Sequence, residues 1–188
     1  QVTVLTRDRK KISIKDGKLT IIEGSVMNRQ TVSTVLQGQD AVIQTLGIGG
    51  KGDGKPTTVV SDANKVILEE REKVGVKRLI AISVIGAGNS IAFLPGIFRK
   101  FMLPVFMKWF QAVIDDKNRM EPMIMNSQLN WTIVRCTTIK DKPATRKITA
   151  SFDGKGLKLA ITAADMATFM VEQLTDTTYL KQAPTISN

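Results

Sequence analysis

What most constrains this chain is that its strand-like runs are apolar without interruption and are separated by helix-like stretches. Residues 2–6 (VTVLT), 18–23 (KLTIIE), 40–46 (DAVIQTL), 78–85 (RLIAISVI) and 131–135 (WTIVR) lack the apolar–polar alternation of a sheet wetted on one face. Between them Asn28 can cap a short helix with Val32, Val35 and Leu36 on one face, stopped by Gly38. Thr57 or Thr58 opens a longer helix, with Val59, Val60, Ala63, Val66, Ile67 and Val74 as its apolar face. Glu69, Glu70, Arg71 and Glu72 are its expected solvent face, and Gly75 its end. Buried strands alternating with helices predict an α/β fold, a doubly wound, mostly parallel sheet flanked by helices, in one domain over 1–188. Ligands of such sheets bind beyond the carboxyl ends of the strands. Arg7, Ser25, Gly47 and Ser83 fall there.

Composition removes several function classes. There is no histidine, so no Ser-His-Asp triad, Cys-His nucleophile or histidine metal site can form within the chain. The lone Cys136 cannot form an internal disulfide and fits a reducing, cytoplasmic setting. The net charge of +10 invites an anionic partner, but the basic residues are spread along the chain apart from Arg7, Arg9, Lys10 and Lys11. Aromatics at 5% are too few for base stacking, which argues against nucleic acid as the principal partner.

Residues 91–114 are apolar but broken by Pro95, Arg99, Lys100, Pro104 and Lys108, which argues against a membrane span and against a membrane partner. The region 91–127 is expected to be a helical flap over the substrate pocket, with a plain core helix as the alternative, and with a kink or break at Pro122. Two short strands are predicted at 148–152 and 157–161, and a capping box of Thr162 and Asp165 starts a helix over 163–174.

The strings VTVLTRD, EGSV, GQDAVIQTLG, PTTVVSDANKVI, GVKRLIAIS, DDKNRME, LNWTIVRC and SFDGKGLKLAITAADMATFMVEQL cover nearly the whole chain. In this order they resemble the atypical short-chain dehydrogenase/reductase superfamily, and within it the NmrA-like NAD(P)H-binding proteins, nearest the biliverdin reductase B (flavin reductase) branch. The resemblance implies a Rossmann-like sheet of strand order 3-2-1-4-5, in which VTVLT is the second strand. The family's opening strand and its G-x-x-G-x-x-G loop do not occur in this sequence. About 30 residues, one βα unit, are therefore expected before Gln1. Without that unit, the VTVLT and DAVIQTL strands should each carry an unpaired apolar edge. The Tyr-x-x-x-Lys pair of ordinary members is also missing, the one tyrosine being Tyr179.

The resemblance also assigns roles. Arg7, with Lys11 four residues on, stands where an arginine suits the 2′-phosphate of NADP, and the alternative is a solvated basic turn. Ser25 and Val26 lie around the adenine. Leu46 and Gly47 match the loop whose backbone passes the cofactor, and Gly50, Gly52 and Gly54 make the next segment mobile. Val60, Ile82, Lys117 and Thr138 complete the expected cofactor contacts. Ser83 is the candidate catalytic group, polarising an acceptor carbonyl, a role left open because Val84 replaces a second serine. Cys136 has no histidine to activate it. Two functions follow. One is NADPH-dependent reduction of a flat conjugated small molecule such as a flavin, tetrapyrrole or quinone, with FMN or FAD as substrate rather than bound cofactor. The other is a non-catalytic NAD(P)H sensor that binds a protein partner. No metal is expected.

Overall fold

The computed structural model describes residues 1–48 and 53–188. Its centre is a five-stranded sheet of order β3-β4-β5-β9-β7, formed by Ala41–Gln44 (β3), Arg78–Val84 (β4), Asn130–Cys136 (β5), Thr149–Ser151 (β7) and Thr185–Ser187 (β9). All its pairings are parallel except β7 with β9. Two small parallel sheets stand apart from it. One pairs Val2–Thr6 (β1) with Leu19–Glu23 (β2), and the other pairs Thr138–Lys140 (β6) with Ala160–Thr162 (β8).

Successive residues of a strand face opposite sides, and the central strands are apolar on both. Leu79 and Ala81 of β4 and Trp131 and Ile133 of β5 face one way. They pack against Val60 of helix α2 (Val59–Val74) and Met120 and Ile124 of helix α3 (Lys108–Met125). Ile80, Ile82, Val134 and Cys136 face the other way, onto Phe169 and Met170 of helix α4 (Ala163–Glu172). A sheet with a helical layer on each face is the Rossmann-like arrangement read from the sequence. Helix α1 (Arg29–Leu36), capped by Asn28 Oδ1 on the Thr31 amide at 3.0 Å, sets Val32 and Leu36 against Val66 and Ile67 of α2. The α2 helix ends at Gly75 with φ 78°, a left-handed turn that glycine adopts without steric cost.

Several expectations are corrected. The 40–46 strand shortens to β3 and is only half-buried, because β4 covers one of its edges and no strand of the described residues covers the other. Val59 is exposed. Glu70 is buried, because Lys73 Nζ at 2.8 Å and Arg29 at 3.2 Å neutralise it. No break occurs at Pro122. The proline falls in the last turn of α3, and the Asn126 amide bonds its carbonyl at 3.0 Å, so the helix closes beyond it. The second short strand lies three residues later than predicted at its start, at Ala160–Thr162. The mobile-segment reading of Gly50 and Gly52 lies outside the described residues.

Candidate functional site

A cleft of about 490 Å³ opens at the carboxyl ends of β1, β2 and β3. Arg7 enters it just after β1, Ser25, Val26 and Met27 after β2, and Leu46, Gly47 and Ile48 after β3. The opposite wall is Thr57, Val59 and Ala63 at the start of α2, with Trp109 and Ala112 of α3 and the segment 53–56. Five of the residues singled out from sequence, Arg7, Ser25, Val26, Leu46 and Gly47, thus share one cavity.

Local structure leaves Arg7 free to act. The neighbouring Asp8 carboxylate accepts the Lys10 amide at 3.0 Å and so caps the turn Arg9–Lys11. Arg7 has no ion-pair partner among the described residues. The carboxylate in the cleft, Asp53, is tied to Lys55, whose amide and ammonium hold its pKa below the usual value. Ser25 Oγ accepts the Met27 amide at 3.2 Å, which fixes the turn and leaves its hydroxyl proton to donate. Among the described residues nothing lies within 4 Å of where a Gly47 Cβ would stand.

The remaining candidates lie elsewhere. Lys11 is exposed on the Arg9–Lys11 turn and does not line the cleft. Val60 is buried one residue out of phase with Val59, which takes the cleft wall instead. The Val60 and Ser61 amides donate to the buried carboxylate of Asp116 at 2.9 and 3.1 Å, so a side chain of α3 satisfies the first turn of α2. Thr138 is exposed on β6, outside the cleft.

The Ile82 carbonyl, Ser83 and Lys117 belong to a buried polar group that does not line the cleft. Lys117 is 4% exposed, and its ammonium donates to the carbonyls of Leu46 at 3.1 Å and Ile82 at 2.8 Å. Burial pulls its pKa down to about 8, with Cys136, Asp116 and Glu121 opposing the shift. It thereby clamps the end of β3, and the cleft residue Leu46, to β4. Ser83 donates to Glu121 Oε1 at 2.6 Å, and Glu121 takes a two-point ion pair from Arg135 at 3.0 and 2.7 Å. With its hydroxyl spent there and 1% of its surface exposed, Ser83 does not reach the cleft. Burial pushes the Cys136 thiol up to about 11, so it is not a nucleophile at neutral pH.

The adenosine 2′-phosphate end of a dinucleotide fits these residues. Val26, Met27, Ile48 and Ala63 are apolar walls of the cleft, and Arg7 is a guanidinium beside them with no ion-pair partner among the described residues. Sequence reading missed Trp109, Val59, Asp116 and the Glu121–Arg135 pair. The spacing of Lys117 and Glu121, four apart and so on one face of α3, was the available signal for a buried polar layer.

Comparison with known proteins bears on the family and the fold. A yeast protein of Saccharomyces cerevisiae, "UPF0659 protein YMR090W", is 25% identical over 162 residues, 85% of this chain and 66% of its own length. The chain thus spans slightly less than two thirds of that relative. The solved structure of ChuY, described as an anaerobilin reductase from Escherichia coli O157:H7, superposes with a TM-score of 0.74 at 20% identity, covering 98% of this chain and 83% of that one. A short-chain dehydrogenase/reductase of Veillonella parvula, solved in complex with NADP, gives 0.74 at 18% identity, covering 99% and 82%. These structures share the fold. The family model described as NAD(P)H-binding matches residues 1–177, and the chain, with a cleft suited to a dinucleotide at the ends of its parallel strands, belongs to that NAD(P)H-binding family.

Proposed function

We propose that the chain is an NADPH-dependent reductase of a flat conjugated acceptor, a tetrapyrrole, flavin or quinone-like molecule. The observation that carries the reading is the cleft that joins an unpaired Arg7 to apolar walls. The two similar structures support it, one described as an anaerobilin reductase and one solved in complex with NADP. When bound, the cofactor supplies the hydride. The chain's residues bind and orient. Arg7 holds the 2′-phosphate, Ser25 and Val26 border the adenine, and Lys117 fixes the Leu46 carbonyl and with it the cleft wall. Among the described residues Asp53 is the one carboxylic acid lining the cleft, and Lys55 holds its pKa below the usual value, so in this reading the proton for the acceptor comes from solvent.

Adenosine 2′,5′-bisphosphate and 5′-AMP test the phosphate assignment by calorimetric titration. A charge-assisted contact contributes roughly 1.5–3 kcal/mol, about ten- to a hundredfold in affinity. The bisphosphate should bind tighter by that factor, Arg7→Ala should abolish the difference, and higher salt should narrow it. Equal affinities in the native chain would refute the role of Arg7. Oxidation of NADPH is then followed with FMN, FAD, biliverdin and quinones.

The engagement of Ser83 by Glu121 favours a second reading, a dinucleotide sensor without turnover. Cofactor binding without oxidation by any of these acceptors, together with a protein partner whose binding follows the cofactor's redox state, would select it.

A further inference from the structure

One surface is used by nothing described so far. The helix Phe98–Phe106, of widened π-type winding, precedes α3 and does not line the cleft. Of its side chains Leu103 alone is buried, while Ile97 is 72%, Phe101 60%, Met102 40%, Val105 57% and Phe106 73% exposed. Ile97, Phe101 and Val105 are spaced by four, as are Met102 and Phe106, so they form one apolar face. A monomer seldom leaves such a patch to water. Arg99, Lys100 and Lys108 are exposed beside it and have no ion-pair partner among the described residues. No aspartate or glutamate occurs between Glu72 and Asp115.

The geometry points to an anionic lipid surface as the occupant, with the 98–106 helix lying in the plane of the headgroups. Exposed aromatic and aliphatic side chains enter the acyl boundary, and Arg99, Lys100 and Lys108 meet lipid phosphates and carboxylates. A second copy is disfavoured by charge, because each partner would bring the same cations from a chain of net charge +10. The described helices include none long and apolar enough to cross a membrane, so the helix lies on the surface and does not span it. The proposal departs from the expectation of no membrane partner, which rested on the absence of a span. Trp109 and Ala112, on the helix that begins two residues after Phe106, line the cleft, so the cleft would open close to the bilayer.

Sedimentation with vesicles tests this. The chain should pellet with vesicles of equal parts phosphatidylcholine and phosphatidylserine, and not with phosphatidylcholine alone. Salt near 1 M, where the Debye length is about 3 Å, should release it. Arg99→Gln with Lys100→Gln should weaken binding about fivefold per cation removed. Phe101→Ser with Phe106→Ser should weaken it more than about tenfold. All four side chains are exposed, so thermal melts should match the native chain and confirm that folding is intact. Failure to bind the mixed vesicles at low salt, equal binding to neutral vesicles, or binding unchanged in both double variants would overturn the proposal. So would a dimer in light scattering that Phe101→Ser with Phe106→Ser converts to monomer, since the patch would then be a self-association face.

Discussion

Glu121→Ala is the perturbation with the largest calculable consequence. Glu121 and Arg135 are 2% and 3% exposed, and the guanidinium meets both carboxylate oxygens, Nε on Oε1 at 3.0 Å and Nη2 on Oε2 at 2.7 Å. Removing the carboxylate leaves a buried cation whose remaining side-chain partner is Asn89 Oδ1, at 2.6 Å from Nη1. Stripping one member from a buried pair costs about 3–5 kcal/mol, mostly because the survivor stays desolvated. The Ser83 hydroxyl also loses its acceptor, yet Ser83→Ala alone should cost only about 1 kcal/mol. Against a total stability of about 5–15 kcal/mol the Glu121 loss is large. For a chain of this size it corresponds to a fall in Tm on the order of 10 °C. Urea unfolding followed by circular dichroism gives both numbers, and the double variant gives their coupling. Arg135 would owe little to Glu121, and the reasoning would fail, if Glu121→Ala cost less than about 1 kcal/mol with an unchanged dependence on urea.

The other predictions concern titration and capping. Lys117 has a folded pKa near 8 against 10.5 in the unfolded chain, so the native state releases its proton first and stability should rise as pH climbs from 8 to 9. The slope approaches about 1.4 kcal/mol per pH unit at most. Above pH 9 the Cys136 thiol, held near 11 when folded, offsets it, and Lys117→Met should flatten the rise in urea titrations at the two pH values. Asp165 is pushed up by burial, but the amides of Thr145 and Arg146 and the hydroxyls of Thr162 and Thr145 outweigh this and hold it near 2. Its stabilisation should therefore be lost as pH falls from 4 towards 2, and Asp165→Asn should be less stable at neutral pH and less sensitive to acid in thermal melts. Asp116→Ala should cost about 1–2 kcal/mol in urea unfolding, because it uncaps two amides at the start of α2.

How much of this was legible in sequence depended on range. The uninterrupted apolar runs marked β4 and β5, where burial on both faces leaves no room for alternation, and also β1 and β2, which are only half-buried. The turn residues Asn28 and Gly75 marked helix ends through local bonds. Arg7 and Ser25 were legible as neighbours in one cleft because both follow strand ends, whatever the packing. The failures were long-range. Val60 rather than Val59 turned inward because Asp116, 56 residues away in sequence, fixes the helix phase. Glu70 looked solvated until Arg29, 41 residues earlier, came to meet it. Ser83 looked available because nothing near it in sequence announced Glu121, 38 residues on. The short β9 strand at Thr185–Ser187 went unread, since three residues carry no period.

The separation of the β1–β2 pair from the five-stranded sheet gives the cleft a character of its own. Arg7 and Ser25 belong to one sheet and Leu46 and Gly47 to the other, and among the described residues no backbone hydrogen bond joins the two. The jaws are connected through α1, by Val32 and Leu36 on α2 and by the reach of Arg29 to Glu69 and Glu70. A molecule that touches both jaws would act as a clasp, adding its own binding energy to the cohesion of the β1–β2 pair. The amides of β1 and β2 should be among the first to exchange with deuterium in the empty chain, and among those most protected when the clasp is closed.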